Sequence, residues 1–194
     1  MQNARRFFLI RELLKEGCGK RLGIDFEDGS FVIPEDVKSQ QDILRALMNV
    51  REPLPCSGEF LKVQDEYLQE RNRERGITDL AELVPFCKQD ERIFLWQGDI
   101  TTLKIDGIVN AANSAMHGCF APLHICIDNC IHTFSGVQLR IFCNELMKKH
   151  GKPEGTGLCK ITPAFNLPSK FVLHTVGPII TLSVGERDKI LLSN

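Results

Sequence analysis

The sequence predicts an α/β fold, with a mostly helical stretch over residues 1–90 and strands alternating with helices over residues 91–194. Two observations carry this. Apolar residues recur at helical spacing through the first stretch, and the period then changes to short β-type runs bounded by Gly and Asp. With 194 residues, 43% hydrophobic and 25% charged, the chain can bury a core as one domain with a small appendage.

The first helix is read from Phe7, Leu9, Ile10, Leu13 and Leu14, with Arg, Glu and Lys between them. Pro34 opens a second, with Asp36 in its first turn and Ile43, Leu44, Leu47 and Met48 on its apolar face. A Pro-broken connection over residues 51–58 leads to a third, which begins at Ser57, passes Phe60, Leu61, Val63, Tyr67 and Leu68, and ends near Gly76. Thr78, with Glu82 near it, caps one short further helix. This first stretch reads as a helical cap or interaction module, and nothing in it carries chemistry.

Short strands are expected at residues 93–96 and 108–109. Helical signal over 125–150 breaks at Ser135-Gly136 into two helices. Two more strands, 158–162 and 171–176, flank a turn at 163–170. Gly185-Glu186 opens a last helical stretch over 187–192, and no strand follows it before Asn194.

The net charge is -1, so the basic surplus that drives phosphate-backbone binding is absent and nucleic acid is a poor partner. No apolar run approaches the ~20 residues of a membrane span. The N-terminal apolar run is interrupted by Arg11 and Glu12 and lacks a cleavage-type site, so it does not read as a secretory signal. Eight locally clustered cysteines in a chain of this length fit reduced thiols, some of them metal ligands, and a cytoplasmic protein.

The run over residues 118–132, GCFAPLHICIDNCIH, packs three cysteines, two histidines and one aspartate together. Cys119, His124 and Cys126 form a C-x4-H-x-C set of soft and borderline ligands, with Asp128 two residues on. Zinc prefers such ligands, and a catalytic zinc keeps three protein ligands and one open position. His117, Cys130 and His132 are competing ligands. Cys130 reads better as a buried thiol and His132 as a helix-surface or hydrogen-bonded structural residue. The bland alternative for the whole run is a set of core side chains.

Other polar groups cluster at strand ends. Asp99 follows Gly98 at the end of the 93–96 strand, where an acid either receives hydrogen bonds from a nucleotide or serves as a turn or cap residue. Asn110 to Asn113 leave the next strand as two amides around two alanines, which suits a ribose hydroxyl pair or an Asx turn equally. Residues 151–157 hold three glycines without the Lys-Ser/Thr ending of a nucleotide P-loop, and read as a plain loop. His174 reads as structural.

The strings GDITTLKIDGIVNAANS, CIDNCIH, SGVQLR and TGLCKITPAFNLPSKFVLHTVGP closely resemble a macrodomain, over residues 95–178. More narrowly, they resemble the zinc-dependent macrodomains that hydrolyse protein ADP-ribosylation. IPEDVKSQQDILRALMNVREPLP and FLKVQDEYLQERNRERGITDL resemble the N-terminal helical extension of that subfamily. The resemblance implies a three-layer α/β/α macrodomain with a mixed central sheet, preceded by that extension. It also implies that the C-terminal part of the domain is missing: a second, Gly- and Ser/Thr-rich ligand loop would follow a strand that the chain does not reach.

By the same resemblance, Asp99, with Ile100 beside it, lies at a ligand-binding position and matches the acid that recognises the adenine amino group. Asn113 matches the amide beside the distal ribose, and Asp128 the acid near that ribose. Asn113 and Asp128 are thereby the catalytic candidates, and Cys119, His124 and Cys126 hold one Zn2+ per chain. The implied activity is hydrolysis of ADP-ribose from ADP-ribosylated protein side chains at the distal ribose C1″. The alternatives are a non-catalytic ADP-ribose-binding module and an inactive truncated remnant.

Overall fold

The computed structural model describes residues 1–26, 29–180 and 183–193. Helices α1 (Gln2–Lys15), α2 (Val37–Val50) and α3 (Gly58–Glu74) form the first layer. Leu9, Ile10, Leu13, Leu44, Leu47, Phe60 and Leu68 meet in one apolar cluster, which Val137 also joins. Asp36 stands one residue outside the expected first turn: its extended backbone lets its carboxylate accept the Ser39 amide at 2.8 Å, so it is the N-cap of α2. Ser57 caps α3 in the same way through the Phe60 amide at 3.1 Å.

The segment after α3 departs from expectation. Thr78–Asp79 is a short strand, β1, and only a 3-10 turn, Leu80–Glu82, follows it. Strands β2 (Pro85–Cys87) and β3 (Asp90–Phe94) then form an antiparallel hairpin separate from the main sheet. The strand expected at 93–96 is therefore earlier and pairs locally. Its partner lies a few residues away, where loop closure costs least entropy. β4 (Leu103–Lys104) pairs in parallel with β1.

The core of the second half is a mixed three-stranded sheet of β5 (Gly107–Ala111), β7 (Phe171–Thr175) and β6 (Cys159–Pro163), in the order β5-β7-β6. β5 and β7 run parallel, and β6 and β7 antiparallel. The parallel pair requires a crossover, which α4 (Ile127–Ser135), α5 (Val137–His150) and β6 supply. The two helices break at Gly136, as the sequence indicates.

Alternation in the strands decides the faces. Ile108, Asn110, Thr162, Val172 and His174 are buried, and Ile108 and Val172 pack with Ile131, Leu139, Cys143 and Met147 of the two helices. Val109 and Ile161 point to the other face and are 57% and 58% exposed. The α/β class and mixed sheet agree with the sequence reading; among the described residues, helices layer one face of the sheet. The last helix, α6 (Glu186–Leu192), buries none of its residues. Asn194 lies outside the described residues. No helix among the described residues is long and apolar enough to cross a membrane.

Candidate active site

The loop between β5 and α4 brings the expected residues together. Ligand atoms of Cys119, His124 and Cys126 all lie within 4.8 Å of one another. Cys119 Sγ is 3.7 Å from His124 Nδ1. A tetrahedral zinc with Zn–S and Zn–N bonds of about 2.3 and 2.1 Å sets its S···N separations at roughly 3.6 Å. The Cys126 amide also points at His124 Nδ1, at 3.4 Å. Cys126 is the N-cap of α4, its sulfur accepting the Asn129 amide at 3.4 Å. Burial pushes the Cys126 thiol up; the Asn129 amide opposes this and the adjacent Cys119 adds to it. A divalent cation would offset that mutual repulsion, so the donor set fits zinc.

Asp128 and Asn113 meet beside this loop. Asp128 is buried in the first turn of α4 and accepts from Asn110 Nδ2 at 2.8 Å and from Asn113 Nδ2 at 3.4 Å. Burial raises the Asp128 carboxyl above its ordinary value, against the opposing effects of Asn110, the Arg140 charge and Asn113. Asn113 takes the Asx-turn reading of its sequence. Its oxygen accepts the Ala115 amide at 3.1 Å in an Asx turn, while its Nδ2 also donates to the Gly118 carbonyl at 3.0 Å.

Asp99 and Ile100 stand apart from this cluster. Asp99 caps the 3-10 turn Ile100–Thr102, accepting the Thr101 amide at 2.9 Å and the Thr101 hydroxyl at 2.7 Å. It is also ion-paired with Arg75, whose guanidinium stacks over the Phe134 ring at 3.4 Å. Burial works to raise the Asp99 carboxyl, and Thr101 with Arg75 outweighs it, holding the group below the usual carboxylate value. Ile100 packs partly buried against the sheet core.

Two minor readings change. Cys130 is half-buried, with its sulfur 3.6 Å from Arg45 Nη2, because it faces out between α2 and α4. His132 is buried, and neither ring nitrogen has a hydrogen-bond partner among the described residues. Burial, with the charges of Arg140, His174 and His117, holds it well below its ordinary pKa. Its Nε2 lies 3.6 Å from Asp128 Oδ1.

Sequence reasoning missed two supporting groups. Arg140 is buried on α5 and donates to the carbonyls of His117, Asn49 and Arg51 at 2.7, 2.9 and 2.6 Å, with Phe120 stacked at 4.1 Å. A buried arginine has no periodicity signal of its own. The second is the pairing of Asn110 with His174, opposite each other in the β5–β7 register, with Nδ2···Nδ1 at 3.1 Å. His174 Nε2 lies 3.0 Å from Thr162 Oγ1, a structural role as expected.

Comparison with known proteins identifies the family. The Macro domain family matches residues 109–194. A protein-ADP-ribose hydrolase of Treponema medium is 54% identical over 194 residues, 100% of this chain and 71% of that protein. One from Staphylococcus aureus strain MRSA252 is 49% identical over 191 residues, 98% of this chain and 68% of that protein. The solved Trypanosoma brucei macrodomain in complex with ADP-ribose is 26% identical, covering 77% of this chain and 64% of that chain with a TM-score of 0.47. At such identity over its whole length, this chain belongs to the protein-ADP-ribose hydrolase family of macrodomain enzymes.

Proposed function

We propose that this protein is a zinc-dependent hydrolase that removes ADP-ribose from modified protein side chains. The observation that carries the reading is the convergence of Cys119, His124 and Cys126 within 4.8 Å, beside the contact of Asn113 with Asp128 in the first turn of α4. The relatives named protein-ADP-ribose hydrolase supply the substrate class. Cys119, His124 and Cys126 would hold the metal. Zinc held there would supply Lewis-acid chemistry.

The chain's own groups would orient the ribose. Asp128 has two acceptor oxygens, each already taking one amide hydrogen bond, and its remaining lone pairs accept from a ribose hydroxyl. Asn110 and Asn113 hold that carboxylate in place, and such orientation supplies up to ~7–11 kcal/mol of a barrier. In the overall reaction one water is consumed. Its hydroxyl bonds to C1″ as the bond from C1″ to the side chain breaks, and its proton goes to the side chain. Asp99 is proposed to read the adenine amino group, exchanging its Arg75 partner for the base.

The test is metal content together with ADP-ribose release from a modified protein. About one zinc per chain is expected, with release stopped by a chelator and lost in Cys119→Ala, His124→Ala and Cys126→Ala. Unchanged metal content and turnover in all three variants would overturn the reading. Tight ADP-ribose binding without any release would favour a binding module instead.

A further inference from the structure

Two side chains of α2 reach from the N-terminal helical layer into the loop that carries Cys119, His124 and Cys126. Arg45 Nη2 donates to the His124 carbonyl at 2.8 Å and to Asn129 Oδ1 at 3.0 Å. Asn49 Oδ1 accepts the Leu123 amide at 3.0 Å, and its Nδ2 donates to Thr133 Oγ1 at 2.9 Å. Leu123 has a left-handed backbone, φ +57. Such a conformation is strained for an L-residue and persists where its surroundings hold it. Leu123 immediately precedes His124, so the amide that Asn49 grips sets the direction in which the imidazole leaves the chain.

Asn129 extends the hold to the other two thiol positions. Its Nδ2 donates to the carbonyls of Cys119 and Ala121, at 3.3 and 3.0 Å, and its backbone amide to Cys126 Sγ at 3.4 Å. Arg45 engages the oxygen of this same side chain. Every one of the three candidate ligands is therefore tied, directly or through one residue, to α2.

We infer that Arg45 and Asn49 are positioning residues of the metal centre. They hold the Cys119–His124–Cys126 loop near its ligating arrangement before a metal binds. The inference rests on the zinc reading above. Neither residue is one of the three candidate ligands; each acts by lowering the ordering cost that a free loop would carry on binding. Loss of such an outer partner weakens metal affinity by about 10- to 100-fold.

The experiment uses the whole chain. It measures zinc affinity by competition with a chromophoric chelator, the visible spectrum of the Co2+-substituted protein, and the thermal midpoint of the metal-free protein. Arg45→Ala and Asn49→Ala are each expected to weaken zinc binding about 10-fold or more and to alter the Co2+ spectrum. Arg45→Lys, which keeps one donor for the His124 carbonyl, recovers part of the affinity. Gln40→Ala is the control. Gln40 accepts from buried Arg6 at 2.8 Å within the helical layer and touches no part of the loop. It is expected to lower the midpoint and leave zinc affinity alone.

Unchanged affinity in both Arg45→Ala and Asn49→Ala would overturn the inference. So would an equal loss of affinity in Gln40→Ala, which would make the effect one of general stability. Should Asn49→Ala fail to fold, half-buried Arg45 carries the test. A wild-type chain that takes up no zinc would overturn the zinc reading itself, and this inference with it.

Discussion

Asn110 Nδ2 donates to Asp128 Oδ1 at 2.8 Å, tying the covered face of β5 to the first turn of α4. The same amide nitrogen lies 3.1 Å from His174 Nδ1 on β7, so one side chain links two parallel strands and the candidate catalytic carboxylate. Asn110→Ala would leave Asp128 with Asn113 at 3.4 Å as its remaining amide partner. The expected cost is about 1–3 kcal/mol of stability and a 10- to 100-fold loss of ADP-ribose release from misplacement. Denaturant unfolding and single-turnover release check it; release within twofold of wild type would count against a positioning role for Asn110.

Stability should fall in mild acid. Burial lowers His174 to about 4, whereas the unfolded chain titrates near the ordinary histidine value of 6.5. As pH drops below 6.5 the unfolded state takes up a proton that the folded state refuses until about pH 4. The contribution is thus fully present above pH 6.5 and is lost through that window, at up to ~1.4 kcal/mol per pH unit. His132, held low as well, acts with the same sign. Unfolding measured from pH 7 to 4.5 should show a shallower slope for His174→Gln than for wild type; equal slopes would refute the assignment.

Gly118 opens the candidate metal loop at φ +79, and a Cβ there would lie 2.7 Å from the ring of buried His132. Gly118→Ala therefore meets both backbone strain and a clash that the packed ring cannot relieve. A loss of about 1–3 kcal/mol is expected, of the size that overpacking brings, with weakened zinc uptake. A variant as stable as wild type would show that the loop relaxes freely.

Among the described residues Arg140 pairs with no buried acid by direct contact; it satisfies carbonyls at the end of α2 and at the start of the candidate metal loop. Burial lowers its pKa to about 10, against the opposing charge of Asp128, and it stays cationic at neutral pH. Lysine offers a single point of donation in place of the guanidinium fork. Arg140→Lys should destabilise by about 3 kcal/mol or more, close to the cost of breaking a buried charged network, and thermal unfolding reads it directly.

Much of the candidate site was legible locally. Cys119, His124 and Cys126 lie within eight residues, so short loop geometry alone brings them near one another. Asp128 stood out by its place two residues after Cys126, and its role came with the family resemblance. The hairpin Pro85–Cys87 with Asp90–Phe94 was not legible, because its apolar residues are few and it pairs outside the sheet. His132 was misplaced for a related reason. Its spacing put it on a helix, while burial depended on the sheet that packs against that helix.

What was legible in the sequence by itself is the order and type of the main elements, the candidate triad and the resemblance to the family. The elements and the candidate triad rest on periodicity, capping residues and short-range spacing, all of which act within a few residues, and the family rests on the resemblance of whole motif strings. Tertiary structure alone decided how the triad is supported. Arg45 and Asn49 reach it across 79 and 74 residues of chain, and Asn110 meets His174 across 64. Contacts at that separation exist only once helices and sheet have packed, because nothing in the local conformation of either residue specifies its partner.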